Sequence, residues 1–241
     1  MNVFDEMGNY WAEMADQNQT EQQIGFLSSH LNPQGAILDL ACGTARHLIP
    51  LSKEGFDVVG LDVSAKLLRI AKQRCRGCLL VRGDMRFLPF KAETFAAVIS
   101  MDTSFGYLPS LEDDRAAIAE AQRTLKSGGC FVIDVFNRQE LTQKYQGKNV
   151  HQKQKEYPNF TLQKKRTVSS EGNWLCDHWV IHNKATGIEL VFEHKARLYE
   201  KSKLEEMLNT VDLAVKEVYG GYSDEKFSKE SQHLILIAQK V

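Results

Sequence analysis

Three aspartates lie at or near the ends of short apolar runs in the N-terminal half of the chain. Asp39 lies within the run 37–40 and just before the small residues 41–44, whereas Asp62 and Asp84 each end a later run. A carboxylate so placed can accept hydrogen bonds from the two hydroxyls of a ribose or from an adenine amino group. Asp39 can also tie down its own loop, and both roles stay open. The spacing predicts a nucleoside site built from three strand ends.

The elements around these aspartates are typical of a doubly wound parallel sheet. Short apolar runs alternate with amphipathic helices, which indicates an α/β fold, and the predicted strands are 36–40, 56–61, 79–82, 95–101 and 130–136. Ligands bind beyond the carboxyl ends of such strands. The loop 41–45 should therefore meet the ligand where the helix predicted over 44–54 begins.

After Asn137 the apolar pattern changes to strict alternation. Residues 160–168, 174–182 and 188–198 alternate apolar and polar side chains between turn signals, which predicts an antiparallel meander. A helix over 203–209 and strands 214–219 and 233–239 follow. We therefore expect a core of residues 1–137 and 199–241 with an antiparallel insertion at 138–198, serving as a lid, a substrate-binding element or a dimer element.

Several segments together resemble the class I S-adenosylmethionine-dependent methyltransferases, in the small-molecule branch with a β-meander lid. Residues 37–47, Ile-Leu-Asp-Leu-Ala-Cys-Gly-Thr-Ala-Arg-His, resemble the glycine-rich first motif. Residues 59–64, Val-Gly-Leu-Asp-Val-Ser, resemble the second-strand motif whose acid holds the ribose. Residues 83–86, 103–108 and 125–129 match later blocks in the same order, so the resemblance covers nearly the whole chain.

The resemblance implies a Rossmann-like sheet of seven strands whose last strand runs antiparallel. It implies S-adenosylmethionine as cofactor, S-adenosylhomocysteine as product and no metal. It also suggests that Tyr10 and Met101 contact the cofactor, although Tyr10 could instead form a hydrophobic staple on the first helix. The predicted cofactor-binding residues are Tyr10, Asp39, Ala41, Gly43, Asp62, Val63, Asp84, Met85 and Met101.

The first motif departs from the family pattern at two positions. Ala41 and Ala45 stand where the motif usually has glycine. Alanine at 41 is tolerable if its φ stays negative, and alanine at 45 places a methyl group beside the start of the helix. The main competing hypothesis within this fold is a nicotinamide dehydrogenase, whose dinucleotide-binding loop requires the motif Gly-x-Gly-x-x-Gly. The corresponding residues are Ala41, Gly43 and Arg46, and the arginine disfavours it.

Asp102, which follows the fourth predicted strand, is the candidate catalytic residue. It could act as a general base, which methyl transfer needs only if the acceptor arrives protonated. His47, His178 and His194 are weaker candidates, each expected to be structural or exposed. In the families that the chain resembles, an Asn/Asp-Pro-Pro-aromatic block after this strand marks methylation of adenine or glutamine amino groups. Residues 101–104 read Met-Asp-Thr-Ser instead, so the resemblance disfavours those acceptors. Residues 102–108, with two aromatic side chains, instead predict a partly aromatic pocket for a small-molecule acceptor.

A formal net charge of −1 conceals a basic stretch at 138–166, with eight basic and two acidic residues. We interpret this stretch as a solvated surface in preference to a site for an anion. Two alternatives stay open: an RNA methyltransferase that uses the basic stretch, and a non-catalytic S-adenosylmethionine-binding module. Because the stretch is interpreted as a solvated surface, nucleic acid is the disfavoured partner. A homodimer also stays open.

The remaining sequence features indicate a cytoplasmic protein without a membrane partner. No apolar run is long enough for a membrane span, and the N-terminus lacks the pattern of a secretion signal. The five cysteines are scattered, which argues against a disulfide framework. Cys75 and Cys78 are expected to be structural thiols at the end of a helix.

Overall fold

A computed structural model describes residues 3–14, 17–31, 34–147 and 151–241. The helices are α1 (Val3–Met7), α2 (Asn9–Met14), α3 (Gln17–His30), α4 (Leu48–Lys53), α5 (Ala65–Arg74), α6 (Leu111–Thr124), α7 (Arg138–Tyr145) and α8 (Lys201–Asn209). The strands are β1 (Ile37–Leu40), β2 (Val58–Asp62), β3 (Leu79–Arg82), β4 (Phe95–Ser100), β5 (Leu125–Phe136), β6 (His151–Glu156), β7 (Phe160–Val168), β8 (Trp174–Asn183), β9 (Glu189–Arg197), β10 (Leu213–Tyr219) and β11 (His233–Lys240).

Seven strands form the main sheet, in the order β10-β11-β5-β4-β1-β2-β3. β1 to β5 pair in parallel, and β11 runs antiparallel to both β5 and β10. Apolar clusters cover both faces of this sheet, which is why the central strands are continuous apolar runs. The predicted Rossmann-like fold with an antiparallel last strand is confirmed.

The helix after β1 begins later than the sequence predicts. Residues 41–47 form turns, and α4 begins only at Leu48, so the prediction of a helix from Thr44 was wrong there. The reason lies in the backbone, because Ala41, Gly43 and Ala45 have φ values of 60°, 53° and 64°. Residues in this left-handed region cannot form part of a right-handed helix.

Four strands form a second, antiparallel sheet in the order β6-β7-β8-β9. The three strands predicted for the meander are present, which confirms the inserted sheet, but α7 and β6 were missed. α7 buries only Leu141 and Tyr145, too few apolar residues to show a helical period. β6 reads His-Gln-Lys-Gln-Lys-Glu and, as a polar edge strand, lacks apolar alternation. The domain division at 138 and 198 stays a prediction.

An apolar cluster joins the second sheet to the N-terminal helices. Met7 of α1 packs with Phe160, Trp179, Ile181 and Phe192 of the second sheet. In addition, α1 and α2 contact α5 of the core. The N-terminal segment therefore lies between the second sheet and the main sheet. None of the described helices is both long and apolar enough to cross a membrane.

Cys75 and Cys78 form a disulfide bond, so the expectation of two free thiols was wrong. Cys75 is the C-cap of α5, and the turn that follows brings the two Cα atoms to 5.5 Å. That separation lies in the range that a disulfide requires. The position at the end of a helix agrees with the prediction.

Candidate functional site

A cleft lies between the carboxyl ends of the core strands and the second sheet. It contains two cavities of about 520 and 330 Å³. Their shared lining joins the loop after β1, the segment after β4, the N-terminal helices and the second sheet. The shared residues are Trp11, Ala41, Gly43, Asp102, Ser104, Lys164 and Trp179. The two cavities are therefore parts of one site at the switch point of the sheet.

The loop after β1 exposes its backbone to this cleft. Ala41 and Ala45 both have positive φ, so the condition under which alanine at 41 is free of strain, a negative φ, is not met. The family pattern of glycine at these positions fits that geometry, because glycine adopts positive φ at no steric cost. A Cβ built on Gly43 would meet only Leu67 Cδ1, at 4.0 Å. A ligand can therefore approach the backbone of this loop closely.

Asp62 joins the loop after β1 to the end of β2. Its Oδ2 accepts a hydrogen bond from the Gly43 N–H at 2.8 Å, and its Oδ1 accepts one from the Ser64 N–H at 2.8 Å. Burial raises the pKa of this carboxyl, and the backbone hydrogen bonds oppose the rise. An ionised carboxylate has about four lone-pair sites. It can therefore hold the loop and still accept hydrogen bonds from two hydroxyl groups in the larger cavity, which Asp62 and Val63 line.

Asp39 lies beneath the loop and lines neither of the two cavities. It is 1% exposed, and its Oδ2 has no hydrogen-bond partner among the described residues. Burial raises the pKa of Asp39 to about 7, against the opposing effect of the Arg46 charge. A buried polar atom without a partner is costly, so a donor from a ligand or from water would stabilise this carboxyl.

Asp84 and Met85 follow β3 and differ in their surroundings. The Asp84 carboxylate accepts hydrogen bonds from Arg86 Nη2 at 2.6 Å and from Arg86 Nε at 3.0 Å. Those hydrogen bonds hold the pKa of Asp84 below its ordinary value. Arg86 also pairs with Asp113 at 2.7 Å. Met85 lines the larger cavity, and Asp84 lies outside its lining.

Met101 is buried and lines the smaller cavity. Tyr10 lies outside both linings. Its ring packs edge-on against Phe160 at 5.0 Å, and its hydroxyl accepts a hydrogen bond from Asn183 Nδ2 at 2.8 Å. The neighbouring Trp11, which sequence reasoning missed, lines both cavities. The contribution of Trp11 depends on how α2 packs against the second sheet, where Trp11 stacks on Trp179.

Asp102 lies on the shared lining, where the sequence predicted a catalytic residue. Its φ is 52°, and its N–H donates to Asp134 Oδ2 at 2.8 Å. Its Oδ2 pairs with Arg46 at 2.7 Å, and its Oδ1 accepts weaker hydrogen bonds from Gln19 and Gln23 at 3.3 and 3.4 Å. Burial raises the pKa of Asp102, and the Arg46 charge opposes the rise. The carboxylate is therefore held in place on the shared lining of the two cavities.

Gln23 organises the polar network behind Asp102. Its Oε1 accepts a hydrogen bond from Arg46 Nη1 at 2.7 Å and lies 2.8 Å from His47 Nε2, while its Nε2 donates to the Tyr222 hydroxyl at 2.8 Å. His47 is 4% exposed, and burial holds its pKa well below the ordinary value. His47 is therefore neutral at pH 7; it lines the smaller cavity, and its structural role stays a prediction. His178, at the half-exposed surface, pairs with Glu193 at 3.0 Å.

The opposite side of the cleft carries a charged cluster on the second sheet. Arg166 donates to Asp177 through Nε at 2.8 Å and Nη2 at 2.7 Å, and Lys164 Nζ lies 3.1 Å from Asp177 Oδ2. The Lys164 and Arg166 side chains are only 26% and 16% exposed and line the larger cavity. The interpretation of the basic stretch as a solvated surface was therefore wrong for these two residues.

Asp177 and His194 complete this charged cluster. Burial alone would raise the pKa of Asp177, but the Arg166 hydrogen bonds and the Lys164 charge outweigh it and lower the pKa. Burial lowers the pKa of His194 to about 4, so its imidazole is neutral at pH 7. Its Nδ1 has no hydrogen-bond partner among the described residues. His194 lines the larger cavity, and its role there stays a prediction.

Aromatic side chains form the apolar part of the cleft. Tyr107 lines the larger cavity as expected of a partly aromatic pocket, but Phe105 is buried in the core against Tyr199. Trp11 and Trp179 stack at 5.8 Å between the N-terminal segment and the second sheet.

Within the described ranges, no group of three or more His, Cys, Asp and Glu side chains could hold a metal ion.

One segment of the chain, within its first 129 residues, is similar to a known protein family. Residues 37–129 match the sequence model of a family described as a methyltransferase domain. The chain is 39% identical over 99 residues to dTDP-3-amino-3,4,6-trideoxy-alpha-D-glucopyranose N,N-dimethyltransferase of Streptomyces venezuelae. That match covers 41% of this chain and 41% of the relative, so it spans about two fifths of the relative's length.

Similarity to solved structures extends over nearly the whole chain. The CcbJ methyltransferase from Streptomyces caelestis matches with a TM-score of 0.86 and 16% identity, over 99% of this chain and 98% of that one. An S-adenosylmethionine-dependent methyltransferase from Clostridium acetobutylicum matches with a TM-score of 0.82 and 17% identity, over 99% of each chain. Because both identities are below 20%, this similarity shows a shared fold and nothing further.

Proposed function

Because the chain carries a methyltransferase domain at residues 37–129 on the class I, Rossmann-like fold, we propose that it transfers a methyl group from S-adenosylmethionine to a small-molecule acceptor. The observation that carries the proposal is the Asp62 carboxylate, which joins the loop after β1 to the end of β2 at the edge of the larger cavity. S-adenosylhomocysteine is the other product.

The residues around the larger cavity fit a nucleoside cofactor. Asp62 would accept hydrogen bonds from the ribose hydroxyls, Met85 would pack on the adenine, and the open backbone at Gly43 would allow close approach. Asp39 Oδ2 is buried without a partner among the described residues, but Asp39 lies outside both cavities, so its role here is to support the loop that follows β1. Of the positions predicted from the sequence, Tyr10 and Asp84 have the weakest support, because they lie outside both cavities and are engaged by protein groups.

The cofactor supplies an already activated methyl group on a sulfonium. The chain's own contribution is to hold the acceptor in line with that methyl and to exclude water, an effect of roughly 7–11 kcal/mol at best. Trp11 and Trp179 close the cleft on the side of the second sheet. Asp102 would orient an acceptor N–H or O–H and accept its proton where the acceptor arrives protonated. We propose that the second sheet acts as the lid over this acceptor site.

Calorimetric titration with S-adenosylmethionine and S-adenosylhomocysteine tests the cofactor site. Loss of a charged hydrogen-bond acceptor costs about 1.5–3 kcal/mol, so Asp62→Ala should weaken binding about tenfold or more. Asp57→Ala is the matched control, because Asp57 is exposed just before β2, and it should bind like the parent. Unchanged affinity in Asp62→Ala would contradict the cofactor site.

A screen with methyl-labelled cofactor tests the reaction itself. Label recovered in small metabolites supports the proposal. Label recovered in RNA supports the nucleic-acid alternative, whose binding should fall steeply with salt. Cofactor binding without transfer to either pool would favour the non-catalytic module.

A further inference from the structure

A third, smaller cavity of about 110 Å³ opens beside the cleft. The described residues that line it are Tyr145, Lys153, Lys164 and Arg166, which gives three cations and no acid. The small cavity shares Lys164 with both larger cavities, Lys153 with one and Arg166 with the other. It is therefore a cationic end pocket of the cleft in which the acceptor would bind.

The strand register places these cations together. Lys164 and Arg166 alternate on β7 and so share one face of the sheet, while Lys153 of β6 lies directly opposite Lys164. Like charges directly opposite each other destabilise a sheet. The carboxylate that the described contacts show bridging this cluster is Asp177, which pairs with Lys164 and Arg166. Three cations around one carboxylate leave an excess of positive charge at the pocket.

The side chains are held so that their charge faces the pocket. Arg166 Cζ lies 5.1 Å from the centre of the Phe136 ring, and Lys164 Nζ lies 4.6 Å from the centre of the Trp179 ring. Burial, with the Arg166 charge second, lowers the pKa of Lys164 to about 8. A guanidinium has five N–H donors, of which the Asp177 carboxylate receives two. An anionic group in the pocket would relieve the repulsion that these cations feel.

We propose that this pocket binds an anionic group, carboxylate or phosphate, of the methyl acceptor. The proposal rests on the proposed methyl transfer, because it assigns the acceptor's other end to the same cleft. A cavity of about 110 Å³ exceeds the roughly 30 Å³ that one water occupies in the liquid. The remainder of the acceptor would pass the aromatic surface at Trp179 and reach Asp102, since both line the larger cavities.

Titrations with three ring-bearing probes test the charge requirement. Phenyl phosphate, benzoate and benzyl alcohol are titrated into protein saturated with S-adenosylhomocysteine. We expect one or both anions to bind at least about tenfold more tightly than the alcohol, and the tighter of the two identifies the anionic group. Equal binding of benzyl alcohol would overturn the proposal.

Three glutamine variants locate the binding. Lys164→Gln and Lys153→Gln should each weaken anion binding about tenfold. Lys165→Gln is the matched control, because Lys165 is the exposed neighbour on the other face of β7, and it should match the parent. If Lys164→Gln does not fold, Lys153→Gln decides, because Lys153 is exposed. An equal loss in Lys165→Gln, or no loss at Lys153, would refute the pocket.

The cofactor and anion sites can fail independently. Protein that does not bind S-adenosylhomocysteine would refute the proposed function, and the same probes titrated without it would still test the pocket. Protein that binds S-adenosylhomocysteine but not the anions would refute only the pocket.

Discussion

Replacing Ala41 by glycine is expected to stabilise the protein. Ala41 has a φ of 60°, and an L-residue in the left-handed region costs roughly 1–2 kcal/mol. Glycine removes that cost but makes the unfolded chain more flexible, which costs about 0.4–1 kcal/mol. Ala41 is only partly buried, so its methyl group adds little packing energy. The free energy of unfolding should rise by about 0.5–1 kcal/mol.

Ala45→Gly provides the internal comparison. Ala45 has nearly the same backbone, with a φ of 64°, but it is 0% exposed and belongs to the core. Its glycine variant also loses a buried methyl, worth about 0.8 kcal/mol. The two backbone effects cancel between the variants, so Ala41→Gly should exceed Ala45→Gly in stability by about 0.8 kcal/mol.

Urea unfolding followed by circular dichroism measures this difference, and thermal melting gives a second measure. For a chain of this size, about 0.8 kcal/mol corresponds to a shift in Tm of roughly 2–3 °C. The reasoning would be refuted if Ala41→Gly were less stable than the parent, or if Ala45→Gly were the more stable variant. The first result would mean that the left-handed alanine carries no strain.

Three further predictions concern pH and cysteine chemistry. Because the pKa of Lys164 is lowered to about 8, affinity for an anion probe should fall between pH 7 and 9 in calorimetric titrations, and Lys164→Gln should flatten that fall. Burial lowers the pKa of His233, but Asp134 outweighs it and leaves the pKa raised. The pair therefore contributes stability that is fully present below about pH 6.5 and is lost as pH rises through the raised pKa. Urea unfolding measures the change in the free energy of unfolding between pH 6 and pH 9, and this change should be smaller in His233→Gln than in the parent. An equal change in both proteins would contradict the role of the His233–Asp134 pair. Thiol titration in denaturant without reductant should find three free thiols, because Cys75 and Cys78 are joined, and a count of five would contradict the bond.

The sequence specified the main fold because its signals are local. Continuous apolar runs mark buried parallel strands, and the alternation in 160–168 and 174–182 gave both strands to within one residue. Ser110 is the N-cap of α6 and forms a capping box with Asp113, which the tetrapeptide Ser-Leu-Glu-Asp already suggests. α7 and β6 lacked such signals, because a short polar helix and a polar edge strand show no clear apolar period.

The candidate site was only partly predictable, because only some of its residues carry a local sequence signal. Asp62, Gly43 and Asp102 belong to strand ends and the loops after them, and parallel strands bring their carboxyl ends to one edge of the sheet. The contributions of Trp11 and Arg166 depend on how separate elements pack against that edge, which no local pattern records.

The sequence by itself determined the α/β core, the inserted meander and the position of Asp62 at the end of the second strand, since each follows from short-range periodicity and motif spacing. The count of seven strands with an antiparallel last strand was implied by the family resemblance. The tertiary structure decided the left-handed backbone at Ala41 and the Cys75–Cys78 bond, because both depend on the course of a turn. It also decided that Lys164 and Arg166 face the cleft. A strand's alternation defines two faces, but only packing against a second element decides which face meets a ligand and which meets water.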